Sequence, residues 1–153
     1  MKPVLIIIRG NQSSGKTTLA AKLQEQLGIN KTLLIQPSAD DDTKTMIKLA
    51  EYGQKRFEYV IIEGQLPKDI YAESIKNVIK MFGKQTLVYY LNLTLDQTIQ
   101  LDQQRDDSYG RERLVEQFQP YDQIDELEKQ IDELDINEKI NRIIEDINKL
   151  PLF

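Results

Sequence analysis

Residues Gly10-Asn11-Gln12-Ser13-Ser14-Gly15-Lys16-Thr17 follow the spacing G-x-x-x-x-G-K-[ST], the pattern of a phosphate-binding P-loop. Each residue type has a physical reason to stand where it does. Gly10 and Gly15 permit backbone angles and a close approach that a Cβ would oppose. The loop amides, from Gly10 to Thr18, can wrap a polyphosphate, and the helix that follows adds the partial positive charge of its N-terminus. Lys16 supplies a point charge for β- and γ-phosphates, and the Thr17 hydroxyl is placed to ligate Mg²⁺. Asn11, Gln12, Ser13 and Ser14 complete the expected phosphate-binding set. The flanks agree. Val4-Leu5-Ile6-Ile7-Ile8 is an apolar, β-branched run suited to a buried parallel strand. Leu19, Leu23 and Leu27 then fall on one face of a helix that Gly28 is placed to end. A chance match in a Gly/Ser turn would not carry this strand–loop–helix context.

Three further groups could do chemistry beside a bound phosphate. Ile61-Ile62-Glu63-Gly64 ends an apolar strand in one carboxylate and a small residue. In a P-loop protein such an acid faces the loop, holding Mg²⁺ through water or orienting the attacking group, although a strand-end acid before a turn glycine is ordinary when met alone. Asp40, Asp41 and Asp42 follow the second strand, where the ligand crevice of an open α/β sheet lies. Asp40, nearest the strand, is the candidate to accept the proton of an acceptor hydroxyl. The same run also suits the N-cap of a helix starting at Thr43. Arg105, Arg111 and Arg113 lie in a polar stretch, where they could close over a migrating phosphoryl group or simply pair with Asp106, Asp107 and Glu112. Tyr109-Gly110 and Phe118 are weaker candidates for a hinge and a stacking surface, and Lys2 and Arg9 are read as surface or edge residues.

The elements that must position these groups alternate strand with helix, which predicts a parallel α/β sheet. After the first strand and helix, the pattern predicts strands at 32–36, 59–62 and 86–91 and helices at 42–52, 68–82 and 95–104, with Gly53 and Gly83 as stops. Residues 105–123 read as a mobile loop, a lid at about 105–120. From 124 to 150 apolar residues recur at helical spacing, and this acidic segment is read as mainly helical, with 130–135 a weak candidate for the fifth strand and a helical hairpin or dimerising coiled coil as the alternative. Residues 1–153 are read as one domain, monomeric or homodimeric.

Composition narrows the chemistry. With no cysteine and no histidine, thiol and imidazole catalysis are excluded, and a zinc site would have to be built from carboxylates. Net charge is −5, unevenly spread: residues 121–153 hold ten acidic and four basic residues, a net of −6, which leaves the first 120 residues at +1. No basic patch suits duplex nucleic acid, no apolar run reaches a membrane span and no signal peptide is read, so neither nucleic acid nor membrane is expected as a partner and a cytoplasmic place fits.

With those residues in view, the chain resembles the small P-loop kinases of the zeta-toxin and AAA_33-like group. Residues 8–18, 58–64 and 88–93 carry the likeness, which runs through most of 3–118. The resemblance implies a nucleoside-kinase-like three-layer sandwich with about five parallel strands in the order 2-3-1-4-5, ATP·Mg²⁺ as donor and a small hydroxyl-bearing acceptor. It implies that Gly15, Lys16 and Thr17 bind phosphate and metal, and it matches Asp40 only loosely to an acceptor-side acid. The arginines that usually follow that acid are missing here, since residues 36–42 lead almost directly into a helix. The expected activity is γ-phosphoryl transfer from ATP, with Glu63 and Thr17 at the metal, Asp40 as base and Arg105, Arg111 and Arg113 as charge neutralisers. The alternative is a catalytically weak or inactive nucleotide-binding module acting as a switch or an interaction protein, and family analogy alone offers a toxin component that phosphorylates a nucleotide sugar.

Overall fold

The structure is a computed structural model that describes residues 2–38, 40–132 and 135–151. The strands are β1 (Val4–Gly10), β2 (Thr32–Ile35), β3 (Tyr59–Gly64), β4 (Thr86–Leu91) and β5 (Glu128–Ile131). The helices are α1 (Lys16–Leu27), α2 (Thr43–Arg56), α3 (Lys68–Phe82), α4 (Leu95–Gln103), α5 (Arg111–Gln117) and α6 (Ile136–Asn148). All strand pairings are parallel, in the order β2-β3-β1-β4-β5, so the order expected from the resemblance is the one observed.

The central position of β1 explains its unbroken apolar run, because helices cover both faces of the sheet. Strand alternation sends Leu5 and Ile7 to one face, against Met46 and Ala50 of α2 and Tyr71, Ile75 and Val78 of α3. Val4, Ile6 and Ile8 go to the other, against Leu19, Ala20 and Leu23 of α1 and Ile140 and Ile143 of α6. Tyr89 secures α6 from β4: its hydroxyl donates to Asp146 Oδ2 at 2.7 Å, and burial first, then that bond, push its pKa up.

Several sequence expectations change. Gly53 does not stop α2, which continues to Arg56. It is a point of contact instead, since a Cβ there would lie 2.7 Å from Val60 Cγ2 and 2.9 Å from Leu33 Cδ2. The stretch read as a loop contains α5. The segment read as helical from 124 onward is divided: Ile124 enters the α2/α3 core, residues 128–131 form the edge strand β5, and only 136–148 are helical. Leu134, counted in that helical spacing, lies outside the described residues.

Arg9 overturns its reading as a surface residue, being 0% exposed. Alternation puts it on the same face as Leu5 and Ile7, at the C-terminal edge of the central strand. Its guanidinium donates from Nε and Nη2 to the Leu66 carbonyl (3.2 and 3.0 Å) and from Nη1 to the Asp122 carbonyl (3.1 Å). It also pairs with Asp122 Oδ1 at 2.6 Å and Glu128 Oε1 at 2.5 Å. Those contacts engage every N–H that the fork possesses. Asp122 Oδ2 in turn accepts from the Lys68 amide, at the start of α3.

Candidate phosphoryl-transfer site

β1 ends at Gly10 and α1 begins at Lys16, so the intervening loop lies at the C-terminal edge of the sheet, beside the end of β3. Gly15 has φ +91°, the left-handed region that favours glycine. A Cβ on Gly10 would meet Ser14 Oγ at 2.7 Å and Leu91 Cβ at 3.3 Å, so the loop closes tightly on itself and on β4. Ser13 is also left-handed, at φ +61°, an unfavourable setting for a side-chain-bearing residue. Its hydroxyl is anchored by donating to Asp102 Oδ1 at 2.9 Å.

The two residues expected at the metal meet. Thr17 Oγ1 donates to Glu63 Oε1 at 3.0 Å, and Gln36 Nε2 donates to the same oxygen at 2.9 Å. Glu63 is 4% exposed, and its second oxygen, Oε2, is buried with no hydrogen-bond partner among the described residues. An unsatisfied buried carboxylate oxygen is costly, and a divalent cation or its water is the kind of partner that relieves it. The residues therefore fit Mg²⁺, which typically takes few protein ligands and fills its sphere with phosphate oxygens and water.

Lys16 is buried beside this pair, with Nζ donating to the Asn11 carbonyl at 3.3 Å. Desolvation lowers its pKa; the Glu63 carboxylate opposes that effect, and the Arg105 guanidinium adds to it. The ammonium is thus held in a setting that a phosphate would improve.

Two hollows of about 410 Å³ each open beside Lys16 and Thr17. The first lies over Ser13, Gly15 and Thr18 and is closed by Leu101 and Arg105 at the end of α4 and by Ile136 and Lys139 on α6. The second is lined by Gln36, Pro37, Asp41, Glu63, the 64–67 turn, Ile70 and Tyr71. Only Gln12, Lys16 and Thr17 belong to both.

The expected site residues divide accordingly. Arg105 reaches the first hollow, with Nη1 3.4 Å from Ser13 Oγ and Nη2 3.6 Å from Asp107 Oδ1. Arg111 and Arg113 sit on α5 and line neither hollow; Arg113 stacks over the Tyr109 ring at 4.0 Å. Asp40 is exposed in a turn and lines neither, whereas its neighbour Asp41 lines the second hollow, and Asp42 caps α2 by accepting from the Lys44 amide. Asn11 does not offer its side chain to a ligand. Its amide grips the backbone of Gln119 twice, each bond 2.8 Å.

Two participants were not singled out in the sequence. Asp102, 2% exposed, accepts from Ser13 Oγ and from the amides of Tyr109 (2.7 Å) and Gly110 (2.9 Å). Burial works against this carboxylate, but the Gly110 and Tyr109 amides, the Ser13 hydroxyl and Arg105 outweigh it and hold its pKa below the ordinary value. Lys139 is buried in the first hollow, its Nζ 4.0 Å from where a Gly15 Cβ would stand. Asp102 and Lys139 sit on amphipathic helices, where a charge reads as solvated face, and only a map of the folded chain brings them to the loop.

No family model matches the chain, and no curated protein matches it by sequence. Solved structures do. The Mycobacterium tuberculosis APS kinase CysC, in complex with AMPPNP and APS, superposes with a TM-score of 0.69 at 14% identity, covering 97% of this chain and 99% of that one. A gluconokinase from Sinorhizobium meliloti 1021 gives 0.64 at 14% identity, covering 95% and 96%. Chaetomium thermophilum Kti12, in complex with ADP-AlF3, gives 0.55 at 18% identity, covering 94% and 98%. Likeness at such identities is likeness of fold, and the chain has the fold of the P-loop kinases.

Proposed function

We propose that the protein is an ATP-dependent phosphotransferase that moves the γ-phosphoryl group to a hydroxyl of a small molecule. The observation that carries this reading is the pair of hollows joined only through Gln12, Lys16 and Thr17: a donor side over the P-loop and an acceptor side beyond it. A second space beside the phosphate loop is what an acceptor would require. In this reading the loop amides and Lys16 grip the β- and γ-phosphates, and Arg105 and Lys139 add positive charge around the donor. Thr17 and Glu63 would hold Mg²⁺, which neutralises phosphate charge when bound. Asp41 takes the role of acceptor-side carboxylate first assigned to Asp40, because it lines the acceptor hollow and Asp40 does not. The motif segments support a place near the zeta-toxin-like kinases. Among the described residues no helix is long and apolar enough to cross a membrane, and the reading places the protein with cellular ATP, in the cytoplasm.

Mg·ATP at about 100 times its Kd should stabilise the fold by about 2.7 kcal/mol, roughly 5–10 °C in Tm for a domain of this size. Mg·GTP in parallel reads base preference. Lys16→Ala should stay folded by circular dichroism yet lose turnover by at least about a hundredfold. Full turnover in that variant, or no heat and no Tm rise with either nucleotide, would remove the proposal.

A further inference from the structure

The acceptor hollow is unusual in its charge. Apart from Lys16, which it shares with the donor side, its lining among the described residues contains no lysine or arginine. Its other polar side chains are the amides of Gln12, Gln36 and Gln65, the Thr17 hydroxyl, the Tyr71 phenol and the carboxylates of Asp41 and Glu63. The adjoining hollow between α3 and α5 carries one lysine, Lys68, against three acids, Asp69, Glu116 and Asp122, so its lining is net negative. Arg9 lies close in the fold but is fully engaged by Leu66, Asp122 and Glu128. Arg111 and Arg113 are on α5, away from the lining.

This pattern selects among acceptors by charge. A phosphate, sulfate or carboxylate on the acceptor needs a guanidinium fork or an ammonium to replace its water. Here Lys16, and the Mg²⁺ that Thr17 and Glu63 would hold, are matched to the triphosphate, so an anionic acceptor would face the γ-phosphate and Asp41 with no cation of its own in the lining. Amide and phenol groups both donate and accept, which suits hydroxyls. An exposed carboxylate at the rim, Asp41, suits an ammonium.

We infer that the acceptor is a hydroxyl compound bearing no phosphate, sulfate or carboxylate, either a neutral polyol or an amino alcohol. The inference rests on the phosphotransferase reading. In the step, the acceptor oxygen forms a bond to the γ-phosphorus as the bond from that phosphorus to the bridging oxygen of ADP breaks. ADP departs with the electron pair. The hydroxyl proton passes to the Asp41 carboxylate and on to water. The products are ADP and a phosphate monoester.

The test uses the full chain with Mg·ATP and a protein-free bacterial metabolite extract divided on an anion exchanger at pH 7. The flow-through carries neutral and cationic compounds, and the retained fraction carries anions. Formation of ADP is followed by a coupled assay, and the new monoester by ³¹P NMR. The expected result is a rise of about tenfold or more over basal hydrolysis with the flow-through and little change with the retained fraction. A rise confined to the retained fraction overturns the inference while leaving the phosphotransferase standing. No rise with either fraction, in protein shown by calorimetry to bind Mg·ATP, overturns both.

Discussion

Arg9→Met is the substitution whose cost the structure specifies best. Methionine keeps an unbranched apolar stem and removes only the guanidinium. Two carboxylates then lose their partner, but they are not equivalent. The Asp122 side chain is 34% exposed and still accepts from the Lys68 amide, so water can replace much of what it loses. The Glu128 side chain is 0% exposed and keeps only the Ile124 amide, at 3.0 Å on its other oxygen. Breaking a buried pair from one side costs about 3–5 kcal/mol, because the surviving charge is stranded. For a domain of this size that corresponds to a fall in Tm of roughly 6–20 °C.

The same change releases the Leu66 carbonyl. Leu66 sits at φ +46° immediately before Pro67, a backbone setting that both its own Cβ and the following ring disfavour. Two bonds from the guanidinium hold it there, and Leu66 and Pro67 line the acceptor hollow. Acceptor KM should therefore rise more than the Kd for Mg·ATP. The decisive assay is a double-mutant cycle by thermal and urea unfolding. Arg9→Met with Glu128→Met removes both buried charges and should be more stable than Arg9→Met alone, with a coupling of at least about 1 kcal/mol. If Arg9→Met costs less than about 0.5 kcal/mol, or if the two losses simply add, the stranded-charge argument is refuted.

Gly53→Ala reverses the usual sign: alanine in a helix interior gains about 1 kcal/mol over glycine, but here its Cβ meets Val60 and Leu33 below 3 Å, and a loss of about 1–3 kcal/mol is expected by urea unfolding. A more stable variant would show that α2 does not press on the sheet as described. Because the Asp102 pKa is lowered by folding, its contribution is complete above the unfolded value and is lost as pH falls through the folded one. The stability gap between the parent and Asp102→Asn should thus be open at pH 7 and narrow below about pH 4, and a gap independent of pH would remove this role. Folding lowers the Lys16 pKa below 10.5, so between the lowered value and 10.5 the unfolded chain holds more protons and the penalty of burying the ammonium fades as pH rises. A triphosphate favours the ammonium again. Mg·ATP binding at alkaline pH should take up protons, seen as buffer-dependent heat in calorimetry, and that component should vanish in Lys16→Ala.

What could be read from the sequence divides along physical lines. Central strands covered on both faces announce themselves as unbroken apolar runs, and β1, β3 and β4 were found for that reason. The edge strand β5 was met only in part, the weak candidate at 130–135 overlapping its last two residues, because Glu128-Lys129-Gln130-Ile131 buries only its first and last residues and its charged middle reads as surface. The strong apolar stripe of α6 then extends by eye into the segment before it, which is how Ile124 and Ile131 were counted as helical. Lys16 and Thr17 were picked out by a local pattern and Glu63 by its place at a strand end, and the structure brings the three together. Arg9 was misread because an arginine beside a loop looks solvated. Only the central place of β1, together with acids more than a hundred residues later, makes its burial sensible.

Those distant acids belong to a wider arrangement. Alternate residues along the end of β1 and the loop are each met by the chain after residue 101: Arg9 by Asp122 and Glu128, Asn11 by Gln119, Ser13 by Asp102, and Gly15 by the approach of Lys139. The motif makes the phosphate cradle possible by supplying glycines, an ammonium and a hydroxyl, but it does not hold Ser13 at positive φ or fix where the loop begins. Side chains from α4, β5, α6 and the segments between them do that. On the proposed reading, nucleotide affinity should accordingly be coupled to the folding of the chain after residue 101, which supplies these anchors. Changes there should weaken Mg·ATP binding without touching the ligand, in proportion to how many of these anchors they release.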